Sequence, residues 1–228
     1  MKSYVMNVKT EVKRLEQFTS GYPACLPPFE VVECVTVENC SEPEAWWNYP
    51  KGYWAHRESS LKIMRLGKAS GEDFLFFEDD AVFSPDFEEV FTAAVNHLPP
   101  EWDMLYPGGC HLDNEIFPPW QINDYLLRGK RIHWNTCFLI NKKSVDRIIA
   151  HLEEPYWACT HIVDHRLNML HYQPDFAAFS PMKFVVGQAS GISTLNGLHY
   201  PEKWGNTFHY VAPDGTIRFK NENKEGCF

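Results

Sequence analysis

The stretch Phe74-Leu-Phe-Phe-Glu-Asp-Asp-Ala-Val-Phe83 decides the fold prediction, because four apolar residues run directly into three consecutive acids. A short apolar run bounded by polar residues is typical of a buried central strand. Three carboxylates at the end of such a strand repel one another, and burial adds to the cost of their charges. The sequence therefore predicts a positive group close to Glu78, Asp79 and Asp80 that offsets this cost.

A divalent cation is the simplest candidate for that positive group, since carboxylate oxygens suit magnesium and manganese. In open α/β sheets, ligands bind just outside the carboxyl ends of strands, where a nucleoside diphosphate and its metal are expected. If the strand continues through the acids, Glu78 and Asp80 share one face and Asp79 lies on the other. The alternative is a solvated acidic turn between a strand and a helix, and the three acids alone do not decide between the two.

Strands and helices are predicted to alternate along the chain, which favours an α/β fold with a mixed, mainly parallel central sheet flanked by helices. A turn signal at Pro213-Asp214-Gly215 predicts a small C-terminal hairpin of residues 208–211 and 216–219. Residues 110–134 are predicted to form an irregular insert, which in a transferase would shape the acceptor side. No repeat or low-complexity linker interrupts the chain, so we expect a single catalytic domain, residues 1–228. The predicted strands are residues 4–8, 31–37, 74–77, 104–106, 138–140 and 184–186, and the predicted helices are residues 10–18, 55–68, 84–98, 145–152 and 162–170.

Several segments resemble glycosyltransferase family 25, the lipooligosaccharide and procollagen galactosyltransferase type. Residues 52–69 resemble a helix of that family, which is followed there by a buried strand ending in Glu-Asp-Asp, as residues 78–80 are here. The resemblance covers roughly residues 4–195, and the usual Ser-His pair of the family reads Ala55-His56 in this chain. Its other segments are Trp102-Asp-Met-Leu-Tyr-Pro-Gly-Gly109, Thr136-Cys-Phe-Leu-Ile-Asn-Lys-Lys-Ser144, Val163-Asp164, Gln188 and residues 190–193.

The resemblance implies a GT-A type of fold and a metal-dependent transfer of a sugar. The expected donor is a nucleoside diphosphate sugar, UDP-hexose, and the expected acceptor is a hydroxyl of a glycan, glycoprotein or glycolipid. Asp80 is expected to bind the metal directly, and Glu78 to contact the ribose or the metal shell. Asp79 is a further candidate for contact with the nucleotide.

The C-terminal part of the chain offers two candidates for a further metal ligand, His199 and His209. On the predicted hairpin, His209 points opposite to its aromatic neighbours, which favours it over His199. Imidazole suits manganese better than magnesium, so Mn²⁺ is the expected ion, with Mg²⁺ as the alternative. A histidine that merely packs or faces solvent is the competing interpretation for each.

The nucleoside is expected at the carboxyl end of the first strand, near Val8, Thr10 and Arg14. Arg14 matches an arginine that family 25 places after this strand, although an exposed helix charge is the alternative. The resemblance also implies that His56 contacts the donor. Arg57, its neighbour, is expected to reach phosphate.

Asp164 is the candidate for the general base that an inverting transfer requires. It matches the later acid of family 25 and begins a predicted helix, with His161 and His165 close in sequence. The alternative is that Asp164 only stabilises the positive end of that helix. A retaining transfer would need no such base, and the sequence leaves the stereochemistry open.

Composition argues against nucleic-acid binding, since the formal net charge is −9 and no basic footprint is present. No apolar run approaches the ~20 residues of a membrane span, and the N-terminal apolar stretch is too short for a signal peptide. Seven cysteines without a C-x-x-C pair favour thiols in a reducing compartment. We therefore expect a soluble, cytoplasmic protein without a transmembrane segment.

Two other functions compete with sugar transfer. A nucleotidyltransferase usually carries a glycine-rich basic loop after the first strand, whereas this chain reads Val8-Lys9-Thr10-Glu11. A non-catalytic sugar-binding module of the lectin type would be mostly β, whereas strands and helices alternate here. Both alternatives therefore rank below the transferase.

Overall fold

The computed structural model describes residues 1–155, 162–205 and 209–219. Five helices lie in these ranges: α1 (Val12–Gly21), α2 (Lys51–Ser70), α3 (Phe87–Asn96), α4 (Val145–Glu153) and α5 (Val163–His171). The same ranges contain sixteen strands: β1 (Lys2–Asn7), β2 (Phe29–Glu33), β3 (Phe74–Glu78), β4 (Ala81–Phe83), β5 (Met104–Leu105), β6 (Cys110–His111), β7 (Trp120–Gln121), β8 (Leu126–Arg128), β9 (Ile132–His133), β10 (Cys137–Ile140), β11 (Ala178–Pro181), β12 (Val186–Gln188), β13 (Gly191–Ile192), β14 (His199–Tyr200), β15 (His209–Val211) and β16 (Ile217–Phe219).

Ten of these strands form one mixed sheet, in the order β16-β15-β7-β8-β11-β5-β10-β3-β1-β2. Strands β2, β1 and β3 are mutually parallel, while β10 runs antiparallel to both β3 and β5. The predicted α/β class is confirmed, and the arrangement is consistent with a GT-A-like fold. The C-terminal hairpin is confirmed by the antiparallel pair β15–β16, although Phe208, where it was predicted to begin, lies outside the described residues.

Strand β3 is the centre of the core, and residues 74–77 are 0% exposed. Its side chains point alternately to the two faces of the sheet, and both faces are buried, as expected for a strand with a helix layer on each side. On one face Phe76 stacks on Phe138 with 4.5 Å between ring centres. On the other, Phe77 packs in the cluster that contains Phe18 of α1 and Phe91 of α3. Each buried phenylalanine of this kind contributes about 1.5–3 kcal/mol through removal of its surface from water.

The chain turns sharply at the acids. Strand β3 ends at Glu78. The next two residues, Asp79 and Asp80, form a turn, and β4 begins at Ala81. Strand β4 pairs antiparallel with β12, so that Gln188 lies opposite Ala81 and next to the acids. The predicted sharing of one strand face by Glu78 and Asp80 therefore does not apply, because the strand does not continue through them.

The helix before β3 is longer than its sequence pattern predicted. It begins at Lys51, directly after Pro50, and Gly71 ends it in the left-handed conformation at φ 68°. Glycine adopts this conformation without steric cost and is the usual residue after a helix end. Within the described residues, none of the helices is long and apolar enough to cross a membrane.

The insert of residues 110–134 contains more regular structure than predicted. Strand β8 pairs with β11, and β7 pairs with β8, so the main sheet continues into the insert. Leu126 and Leu127 are fully buried there. Strands of two or three residues leave no recognisable period in the sequence. The pairing of β8 with β11, a strand far along the chain, joins the insert to the main sheet.

Candidate active site at the carboxyl end of strand β3

Asp79 is held at the junction of β1 and β3. Because these strands are parallel neighbours, Asn7 at the carboxyl end of β1 lies beside the acids, and its Nδ2 donates to Asp79 Oδ2 at 2.6 Å. The guanidinium of Arg14, from α1, lies 2.5 Å from Asp79 Oδ1. Burial raises the pKa of Asp79, while the Arg14 charge and the Asn7 hydrogen bond act in the opposite direction. Both oxygens of Asp79 are thus committed to protein partners.

Arg14 also bridges to Asp80, with 2.9 Å between Nη2 and Asp80 Oδ2. Its side chain is only 24% exposed, so it is not the exposed helix charge that the sequence left as an alternative. The chain itself thus supplies a positive group among the three acids. Arg14 was predicted at the nucleoside end, and its ion pairs with the acids were not foreseen.

Asp80 has one oxygen with partners and one without. Oδ2 accepts a hydrogen bond from Gln188 Nε2 at 2.9 Å in addition to the Arg14 contact, whereas Oδ1 is buried and makes no hydrogen bond. Burial and the neighbouring charge of Glu78 raise the pKa of Asp80 to about 7, although Arg14 and Gln188 counteract them. A buried carboxylate oxygen without a partner lowers the stability of the folded protein. Binding of a hard cation to this oxygen would offset that cost. The residues present therefore fit the predicted metal.

Glu78 contacts a different partner from those of the two aspartates. His56 of α2 places its Nε2 3.2 Å from Glu78 Oε1, and the histidine is 8% exposed. The structure thus brings His56 to the acids, and its contact with the donor stays a prediction. Its described contact is with the acid that was expected near the ribose or the metal shell.

Arg57 follows His56 in the chain, but its side chain packs between helices α2 and α4. Its Nε donates to the carbonyl oxygen of Leu152 in α4 at 2.9 Å, and its guanidinium lies 4.6 Å from the centre of the Trp54 ring. Arg57 is 7% exposed. The structure does not bring it together with the acids as a phosphate ligand, because successive side chains on a helix point in different directions.

Val8 and Thr10 lie in the turn that joins β1 to α1. The amide of Glu11 donates to the Val8 carbonyl at 2.7 Å, which closes the turn directly after Asn7. Val8 is half-buried and Thr10 is exposed. The two residues therefore occupy the corner next to Asn7 and Arg14 that was predicted for the nucleoside.

Asp164 lies in the first turn of α5, where backbone amides hold its carboxylate. The amide of His165 donates to Oδ1 at 2.8 Å and the amide of Trp134 donates to Oδ2 at 3.3 Å. Burial raises the pKa of Asp164, and the charge of Glu78 adds to this effect while His165 opposes it. His161, also named near Asp164, lies outside the described residues.

A chain of contacts that the sequence did not predict connects Asp80 with Asp164. Gln188, bound to Asp80, exchanges backbone hydrogen bonds with Lys203, and the Lys203 ammonium lies 4.6 Å from the centre of the Trp134 ring. Trp134 in turn donates its amide to Asp164, with its backbone at φ 76°, a conformation that non-glycine residues rarely adopt. Gln188 was found through the family resemblance. Nothing in the sequence pattern singles out Trp134 or Lys203.

The two C-terminal histidines are not grouped with the acids. His199 is exposed on β14, opposite Ile192. His209 lies on β15, and five strands lie between β15 and β3 in the sheet. The Nδ1 of His209 is 3.0 Å from Asn114 Oδ1. Among the described residues, neither histidine joins Glu78 and Asp80 in a set of three ligand atoms close enough to share an ion. Their roles as metal ligands stay predictions.

Comparison with known proteins gives fold-level likeness only. No protein-family model matches the chain, and no curated protein matches its sequence. The chain is similar to the crystal structure of a glycosyltransferase involved in the glycosylation of the major capsid of PBCV-1, with a TM-score of 0.50 and 12% identity over 85% of this chain and 94% of that chain. This chain therefore shares the fold of a glycosyltransferase.

Two further solved structures are more distant. The apo-form glycosyltransferase GlyE of Streptococcus pneumoniae TIGR4 has a TM-score of 0.43 and 11% identity, over 78% of this chain and 44% of that chain. A197 from STIV has a TM-score of 0.39 and 10% identity, over 98% and 96% of the respective chains.

Removal of Arg14 tests whether its guanidinium holds the acids together. Arg14→Met leaves the buried Asp79 without its cation, and we expect a loss of about 3–5 kcal/mol in the free energy of unfolding, the usual cost of breaking a buried pair. Asp79→Asn in the same background should recover part of that loss. Urea denaturation measures both effects.

The matched control is Arg65→Met, because Arg65 forms an ion pair with Glu153 at the surface, at 2.6 Å, with its side chain 60% exposed. Exposed pairs contribute less than about 1 kcal/mol. An Arg14→Met loss no larger than that of Arg65→Met would show that the three acids need no internal cation.

Proposed function

We propose that the protein is a metal-dependent glycosyltransferase that moves a hexose from a UDP-sugar to a hydroxyl of a glycan or glycoconjugate. The observation that carries this proposal is the buried, unpaired Oδ1 of Asp80 at the carboxyl end of β3. The shared fold with a glycosyltransferase of known structure supports it. The resemblance of residues 74–83 and their flanking segments to family 25 points the same way.

Asp80 and Glu78 would hold the metal in this proposal. Asp79 is not assigned as a metal ligand, because each of its oxygens already has a partner in Arg14 or Asn7. When bound, Mn²⁺ or Mg²⁺ would neutralise the charge that develops on the departing diphosphate. His56, beside Glu78, would keep that carboxylate oriented.

The chain's own residues position the donor. The corner formed by Asn7, Val8 and Thr10 would receive the nucleoside, since ligands of α/β sheets bind outside the carboxyl ends of parallel strands. Arg14, already charged and close to Asp80, would meet the phosphates. Its ion pair with Asp79 keeps it in place while its contact with Asp80 is exchanged for the ligand.

Asp164 would accept the proton of the acceptor hydroxyl. The amides of Trp134 and His165 hold the carboxylate in one orientation, which a general base requires. The contacts through Gln188, Lys203 and Trp134, which connect Asp80 with Asp164, support this assignment. An acceptor bound between Asp80 and Asp164 would direct the hydrogen of its hydroxyl group towards Asp164 and the oxygen of the same group towards the donor sugar.

The metal requirement is tested by isothermal titration calorimetry with UDP. UDP should bind with Mn²⁺ present and not in excess chelator, and Asp80→Asn should abolish the difference because it removes the charge that binds the ion. Asp146→Asn is the control, since Asp146 pairs with Lys68 at the surface and its side chain is 70% exposed. Equal UDP affinity with and without the chelator would contradict the proposal.

The base is tested by UDP release from UDP-hexoses, with water as the acceptor. Asp164→Asn keeps the shape and loses the basic oxygen, so we expect release to fall by roughly two or more powers of ten. UDP affinity should stay within about twofold of the parent, because Asp164 is assigned to the acceptor side. Simultaneous loss of UDP binding and activity would mark Asp164 as a structural or donor-binding residue instead.

A further inference from the structure

A second group of metal-ligating side chains lies apart from the acids at the end of β3. His133, at the end of β9, and Asp164 and His165, in the first turn of α5, place one ligand atom each within 4.8 Å of one another. The Nδ1 of His133 is 3.8 Å from Asp164 Oδ2. The two imidazole rings meet edge to face with 4.5 Å between their centres.

We propose that His133, Asp164 and His165 form a binding site for Zn²⁺ or a similar transition-metal ion, separate from the oxygen-ligand site at Glu78 and Asp80. Two imidazoles and one carboxylate are ligands that Zn²⁺ takes in proteins. Manganese and magnesium prefer sites richer in oxygen, so the two places in this chain differ in the ions they select.

The spacing of the ligand atoms suits a single ion. For bonds of about 2.0–2.1 Å, the ligands of a tetrahedral ion lie about 3.4 Å apart. The 3.8 Å between His133 Nδ1 and Asp164 Oδ2 needs to shorten by only a few tenths of an ångström. Three protein ligands leave a fourth position for water.

The surroundings hold the carboxylate ready for an ion. Backbone amides of His165 and Trp134 each donate to one Asp164 oxygen, which is the outer-shell support that ligating carboxylates usually have. His133 is only 4% exposed, whereas His165 is exposed and gives an ion access from solvent. Strand β9 is fixed by its pairing with β6, in which His133 lies opposite Cys110.

Occupation of this site has a consequence that rests on the proposed function. A carboxylate that binds Zn²⁺ is a much weaker base, because the ion withdraws charge from both of its oxygens, so a metal-bound Asp164 would not take the proton of an acceptor. Zn²⁺ should therefore inhibit sugar transfer at the acceptor side while leaving Mn²⁺-dependent binding of UDP unchanged.

Cobalt is the probe for the site itself, because Co²⁺ replaces Zn²⁺ and absorbs visible light when its coordination number is low. Metal-free protein titrated with Co²⁺ should show one equivalent of such absorption, and Zn²⁺ should displace it. His165→Gln and His133→Gln should each weaken the binding tenfold or more, as expected for a lost ligand. His165 is exposed, so its variant remains informative even if the buried His133 variant fails to fold.

His97→Gln is the matched control, since His97 stacks on Tyr125 and bonds to the Ala93 carbonyl, outside the proposed cluster. Asp80→Asn should also leave Co²⁺ binding unchanged. Absence of Co²⁺ absorption, or equal binding by the parent and His165→Gln, would overturn the site.

The same samples separate this inference from the proposed function. Loss of Mn²⁺-dependent UDP binding together with intact Co²⁺ binding would count against the transferase alone. Where UDP release can be measured, Zn²⁺ should inhibit the parent and not His165→Gln. Zinc that binds without inhibiting would overturn the inhibitory role and, with it, the assignment of Asp164 as base.

Discussion

The half-buried guanidinium of Arg14, which bridges Asp79 and Asp80, is the interaction on which the rest of the site depends. It joins α1 to the turn after β3, while Asn7 ties the same turn to β1. Three adjacent carboxylates at the end of a fully buried strand would otherwise repel one another in surroundings that screen charge poorly. One cation offsets only part of that charge, and the remainder is what the proposed metal ion would neutralise.

The two aspartates consequently have different roles. Asp79 has both oxygens occupied and fixes the geometry, whereas Asp80 keeps one buried oxygen without a partner. Gln188 then couples Asp80 to Lys203, and Lys203 meets Trp134, whose amide holds Asp164. The proposed donor side and the proposed acceptor side are thus joined by one series of contacts, although their residues are far apart in sequence.

The sequence predicted those parts of the fold that depend on local pattern. The apolar run of residues 74–77, the helix that Gly71 ends and the C-terminal hairpin were all recognisable. The direction of long side chains was not, and Arg57 illustrates why: its helix was predicted, but only the packing of α2 on α4 turns it towards Leu152. Trp134 and Lys203 were missed because contacts between distant segments leave no trace in sequence spacing.

The central claim is that an external cation binds the unpaired oxygen of Asp80. The most direct test is to grow crystals of the protein with Mn²⁺ and UDP and to measure the anomalous scattering of manganese. The account predicts a peak within about 2.2 Å of an Asp80 oxygen, with Arg14 still paired to Asp79 and displaced from Asp80. A nucleotide bound without such a peak, with Arg14 still bridging both aspartates, would contradict it.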